Sequence, residues 1–115
     1  MDPEQYFTNL VLAAMVDGEL DESEVALLER HAENLRLGQE KAQEILERVH
    51  SGELSEFVKP RSPEARKAAF RAVVRILRAD RKITRREQAM IHVLADKMEI
   101  PADMVDAALS ERWEG

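Results

Sequence analysis

Four tetrapeptides of one kind punctuate the chain: Asp2-Pro3-Glu4-Gln5, Asp21-Glu22-Ser23-Glu24, Ser62-Pro63-Glu64-Ala65 and Thr84-Arg85-Arg86-Glu87. Each opens with a side-chain oxygen able to accept from the backbone N–H groups left unpaired at a helix start. In three of them Gln5, Glu24 or Glu87 follows three residues on, where it can reach back to the cap residue and close a capping box. Pro3 and Pro63 fall at the first helical position, where the missing donor is an orphan anyway. The chain therefore reads as successive helices: Asp2 to about Val16, Asp21 to about Arg36, Gln39 to His50, Ser62 to about Ala79, Thr84 to about Met98, and Pro101 toward Trp113. Asp17-Gly18, Gly38 and Pro101 are the breakers. No window alternates with period two, so no sheet is expected.

Sliding the sequence over itself by 63 residues pairs like with like. Phe7 meets Phe70, Leu10 meets Val73, Val11 meets Val74, Asp21 meets Thr84 and Glu24 meets Glu87. Further on, Leu28 meets Ile91, Ala32 meets Ala95, Leu37 meets Ile100, and the breaker Gly38 meets the breaker Pro101. The expected fold is all-α: a compact bundle of about six helices in two pseudo-repeated three-helix halves, about 2–50 and 62–114, within one domain. In the linker 51–61, Leu54, Phe57 and Val58 stand at one-turn spacing and predict a short helical stopper over the core, with Leu12 and Met15 buried beneath it rather than lining an exposed partner groove, which would mark an interface.

Composition narrows the chemistry. The chain has 115 residues, 44% apolar and 35% charged, and no cysteine, so disulfides, thiolate metal sites and cysteine nucleophiles are excluded. Its longest apolar run, Leu10 to Val16, is far too short to span a bilayer, which predicts no membrane insertion. No charged and then apolar leader opens the chain, and a cytoplasmic location is expected. Charge is divided: residues 1–59 carry fourteen acids and five bases, residues 60–115 nine acids and twelve bases.

Residues 15–24, Met-Val-Asp-Gly-Glu-Leu-Asp-Glu-Ser-Glu, resemble the later part of an EF-hand loop. With Gly18 at loop position 6, Asp17, Leu20 and Glu24 fall at positions 5, 8 and 12. Positions 1 and 3 are then Ala13 and Met15, which offer no side-chain oxygen. In the second half Ile76, Arg78 and Arg81 occupy positions 1, 3 and 6. The stretch reads either as a helix joint, with Leu20 a core plug and Asp21 and Glu24 as caps, or as a weak oxygen-ligand cation site using Asp17, Glu19, Asp21 and Glu24. No metal site is assigned.

An apolar helix ending in Asp17-Gly18-Glu19-Leu20, then Glu24, a helix, and Leu35, Leu37 and Gly38, resembles the tellurite-resistance TerB-like family. Val16 stands where that family usually has Ala, and the second copy is the degenerate Ala79-Asp80-Arg81-Lys82-Ile83-Thr84-Arg85-Arg86-Glu87. The resemblance implies an all-helical fold with no known catalytic activity. It further implies roles in stress-response assemblies or beside chaperone or membrane partners, and acidic residues that have been suggested to meet cations.

Other candidates are sparse. Glu47-x-x-His50 is half of a di-iron carboxylate motif, with no second copy. His31 and His92 have no histidine counterpart in the other half, and all three histidines are expected at the surface or half-buried. No nucleophile elbow or phosphate loop occurs, so no catalytic residue and no cofactor is assigned. What distinguishes the halves is a basic stripe. Thr8, Leu12 and Met15 in the first helix correspond to Arg71, Arg75 and Arg78 in the fourth, extended by Lys67 and followed by Arg81, Lys82, Arg85 and Arg86. This stripe is expected opposite the core face, as a solvated surface or as a docking surface for an acidic protein segment. Negative net charge and the lack of a recognition-helix pattern argue against nucleic acid. The functional expectation is a non-enzymatic protein-interaction module, monomeric or weakly dimeric, with Lys67, Arg71, Arg75, Arg78, Arg81 and Arg85 as partner-binding residues.

Overall fold

Asp2 starts the first helix as its neighbours require: its Oδ1 accepts from Gln5 N at 2.9 Å, and Gln5 Oε1 accepts from Asp2 N at 3.1 Å. The same reciprocal device opens two more helices, through Asp21 with Glu24 and Thr84 with Glu87. The computed structural model describes residues 2–17, 20–78 and 83–110. Among them lie six α-helices and no strand: α1 Pro3–Ala14, α2 Glu22–Asn34, α3 Gln39–His50, α4 Pro63–Leu77, α5 Arg85–Met98 and α6 Ala102–Leu109. Gly18, Glu19, Ala79, Asp80, Arg81, Lys82 and Trp113 lie outside the described residues, and so does the side chain of Asp17.

Helix ends depart from the expected limits by a residue or two, for local reasons. The first helix tightens into a 3₁₀ turn, Met15–Asp17, instead of staying α-helical to Val16. The second stops at Asn34 because Arg36 adopts a left-handed backbone (φ 61°), which lets Leu37 N donate to Ala32 O at 2.9 Å. At the end of α5, Glu99 (φ 57°) and Ile100, whose N–H donates to Ala95 O at 2.9 Å, do the same.

Contacts divide the chain into two compact units, Met1–Val58 and Lys59–Gly115. In the first, α1 packs against α2 and α3, and these two pack against each other. Its buried apolar side chains include Phe7, Leu10, Val11, Leu28, Ala32, Ala42, Ile45 and Val49. Burying each large one contributes roughly 1.5–3 kcal/mol. In the second unit α5 packs on both α4 and α6, with Phe70, Val74, Leu77, Ile91, Leu94 and Met98 buried.

Within the apolar core of the first unit sits Asn9, 0% exposed. Its side-chain Nδ2 donates to Val58 O at 3.0 Å, and its Oδ1 accepts from Val58 N at 2.8 Å. One amide thus satisfies both backbone groups of a residue 49 positions away, as a strand neighbour would. This contact corrects the expected helical stopper. Gly52 (φ 86°) turns the chain out of the helical path after α3, Asn9 fixes Val58, and residues 51–62 hold no helix. Leu54, Phe57 and Val58 are nonetheless half-buried.

Candidate functional site

The acidic bend can be traced through its described residues. Asp21 Oδ1 accepts from Glu24 N at 2.9 Å and from Ser23 Oγ at 2.7 Å, while Glu24 Oε1 accepts from Asp21 N at 3.2 Å. Glu24 is buried, and in the second unit the capping carboxylate of Glu87 is buried likewise. Asp21 and Glu24 therefore serve the start of α2, where negative charge also meets the positive end of the helix dipole. Among the described residues no group of three or more His, Asp or Glu is arranged to hold a metal ion.

On α4 only Arg75 of the basic stripe stands opposite the core; Lys67, Arg71 and Arg78 lie nearer the edge of the buried face, which corrects their expected placement. Each four-residue step rotates a helix by about 40° past a full turn, so Lys67, Arg71 and Arg75 wind progressively outward from the edge of the buried face. Lys67 and Arg71 are half-buried and Arg75 is exposed. Arg78 swings back toward the core edge, is half-buried, and has a structural task. Its Nη2 donates to Ala108 O at 2.7 Å and also to Ser110 O. A guanidinium at these terminal carbonyls satisfies acceptors that α6 cannot pair itself and complements the negative end of its dipole. Arg85 is exposed at the start of α5. Lys67, Arg71, Arg75 and Arg85 form no ion pair among the described residues, and Arg81 lies outside them.

Two cations that sequence reasoning left unassigned organise the entry to α4. Arg66 Nη1 donates to Pro60 O at 3.2 Å and to Arg61 O at 2.8 Å, and its Nη2 stands 3.8 Å from Glu99 Oε2. Lys59 Nζ reaches the same oxygen at 3.1 Å. The hydrogen bond and charge of Lys59, with Arg66 beyond, hold the Glu99 carboxyl below its ordinary range.

The first unit presents a different surface. Met15, Leu20, Val25 and Leu46 line a groove of about 310 Å³ between the end of α1, α2 and α3. Gln43, Glu47 and His50 form its α3 side. Met15 is thus a groove residue, and its chain neighbour Val16 is 56% exposed. Beyond the rim, Glu40 and Glu44 share the outer face of α3 with Gln43 and Glu47. Lys41 Nζ sits 2.8 Å from Glu44 and 3.5 Å from Glu4, and its hydrogen bond and charge draw the Glu44 carboxyl below the usual range. Glu40 and Glu47 are exposed and form no ion pair among the described residues.

Of the histidines, His50 and His92 are exposed, as their positions suggested, whereas His31 is 0% exposed. Its place on the inward face of α2, one turn after Leu28 and beside Ala32, was the signal for that burial. Asn9 carried a similar signal, as an amide set among Phe7, Leu10 and Val11 on the buried stretch of α1. No family model matches the chain, and neither a curated protein nor a solved structure matches it.

Proposed function

We propose that this chain is a non-enzymatic protein-interaction module of TerB-like type, built from two divergent copies of one three-helix block and serving a stress-response or envelope-associated assembly. Its docking surface is the cationic edge of α4 with the start of α5: Lys67, Arg71, Arg75 and Arg85. The occupant is an acidic protein segment. The observation that carries this reading is that these four cations have no ion pair among the described residues, whereas Lys59, Arg66, Lys41 and Arg48 each lie near a carboxylate. Unneutralised cations on one edge steer an acidic partner and set its orientation. Arg78 is engaged instead with the end of α6.

The duplication is supported by features that recur 63 residues apart: the capping boxes at Asp21 and Thr84, the left-handed residues Arg36 and Glu99, and the buried Phe7 and Phe70. The TerB-like resemblance rests on the turn around Asp17 to Leu20 and the break at Leu37-Gly38.

Affinity capture with the wild type and with the triple variant Lys67→Glu/Arg71→Glu/Arg75→Glu tests the surface. A salt-sensitive partner should be recovered at least tenfold less by the variant, whose helical circular dichroism stays unchanged. Equal recovery would remove α4 as the docking surface.

A further inference from the structure

The groove of the first unit has a chemistry opposite to that of α4. Four apolar side chains, Met15, Leu20, Val25 and Leu46, form its floor. Its volume of about 310 Å³ lies at the lower end of the roughly 300–1,000 Å³ typical of ligand pockets. It suits a few side chains of a larger partner better than a whole buried molecule. One wall is a helix, α3, whose outer face carries Glu40, Glu44 and Glu47. Lys41 balances Glu44, but Glu40 and Glu47 remain exposed without an ion pair among the described residues. The unit as a whole is strongly acidic, with fourteen acids and four bases in residues 1–58.

We infer that this groove is a docking site for a short cationic amphipathic helix of a partner protein, which seats two apolar side chains on Met15, Leu20, Val25 and Leu46 and lays flanking Lys or Arg along Glu40 and Glu47. A helix laid in an apolar groove buries its anchors at three- and four-residue spacing. The parallel acidic wall fixes its direction and speeds its arrival. The same wall repels nucleic acid and anionic membranes, so charge selects a basic peptide among possible occupants. This site is independent of the α4 surface: it lies on other helices and takes a partner of opposite sign.

The test uses full-length protein and synthetic peptides of about four helical turns. One carries a leucine stripe flanked by lysines, a second has the lysines replaced by glutamates, and a third scrambles the first. Fluorescence anisotropy should show the lysine-flanked peptide binding at least tenfold more tightly than either of the others. Glu40→Lys/Glu47→Lys, changes at two exposed positions that leave the core untouched, should reverse the preference between the first two. Leu46→Gln should weaken the first at least tenfold, whereas Lys67→Glu/Arg71→Glu/Arg75→Glu should leave it within twofold. Equal binding of the lysine and glutamate peptides, equal binding of the scrambled peptide, or no binding would overturn the inference. So would sedimentation of a dimer that Leu46→Gln dissolves, since a second copy would then occupy the groove.

Discussion

The two units begin and end their second helices alike and yet fasten their remaining parts by unlike means. In the first, the uncharged amide of Asn9 clamps the backbone of Val58 inside apolar surroundings. The position 63 residues on is Ala72, which can clamp nothing. In the second, the charged Arg78 reaches the last carbonyls of α6 from the core edge, and the position 63 residues before it is Met15, a groove residue. Where backbone must be satisfied at an N-terminus, both units keep the same chemistry. Where side chains only have to fix a neighbour or face outward, they diverge, one toward acid and apolar groove, the other toward base. Helix initiation tolerates few residue types, whereas an outer face tolerates most.

The severest way to break the parallel is through the paired phenylalanines. Phe7→Ala and Phe70→Ala each remove a side chain at most 1% exposed and should each cost about 3–5 kcal/mol, measured by urea denaturation. A loss under 1 kcal/mol for either one would mean that equal register hides unequal packing. Smaller effects separate the two clamps. Asn9→Ala strands the N–H and C=O of Val58 and should cost about 2 kcal/mol, with faster amide exchange at Val58. Arg78→Ala should cost less, about 1 kcal/mol, because the guanidinium is partly solvated, with faster exchange confined to the end of α6. The mildest changes address the left-handed residues. Arg36→Gly relieves a side chain of an unfavourable backbone and should raise stability by about 0.5–1 kcal/mol. Glu99→Gly should gain less, since it also deletes the contact with Lys59.

Glu99 adds a pH signature. Its carboxyl is held below the ordinary range when folded, so its contribution is complete above the unfolded value and disappears as the pH falls through the lowered folded one. Glu99→Gln should flatten that acid segment of the stability curve. An unaltered slope would mean that Lys59 and Arg66 do not hold the carboxylate in solution.

Much of the architecture was legible because helix starts are written in local chemistry. Asp2, Asp21, Ser62 and Thr84 all cap where their neighbours place them, and Gly38 and Pro101 precede helices as expected. Residues 51–62 misled because one-turn spacing at Leu54, Phe57 and Val58 mimics a helix, while the contact that fixes this segment comes from Asn9, far away in sequence. Arg78 misled for a related reason. Periodicity places it in a stripe with Arg71 and Arg75, yet only packing reveals that α6 ends within its reach. The groove was half visible: Leu20 reads as a core plug, but it and Leu46 are only half-buried.

Opposite recognition chemistry on the two units is most directly tested by amide chemical-shift mapping of isotope-labelled protein. An acidic peptide and the lysine-flanked amphipathic peptide are titrated separately. The acidic peptide should shift amides of α4 and the start of α5, around Lys67, Arg71, Arg75 and Arg85. The basic one should shift those of the 3₁₀ turn and α3, around Met15, Leu46 and Glu47. Perturbation of one common set of amides by both peptides, or of none by either, would contradict it.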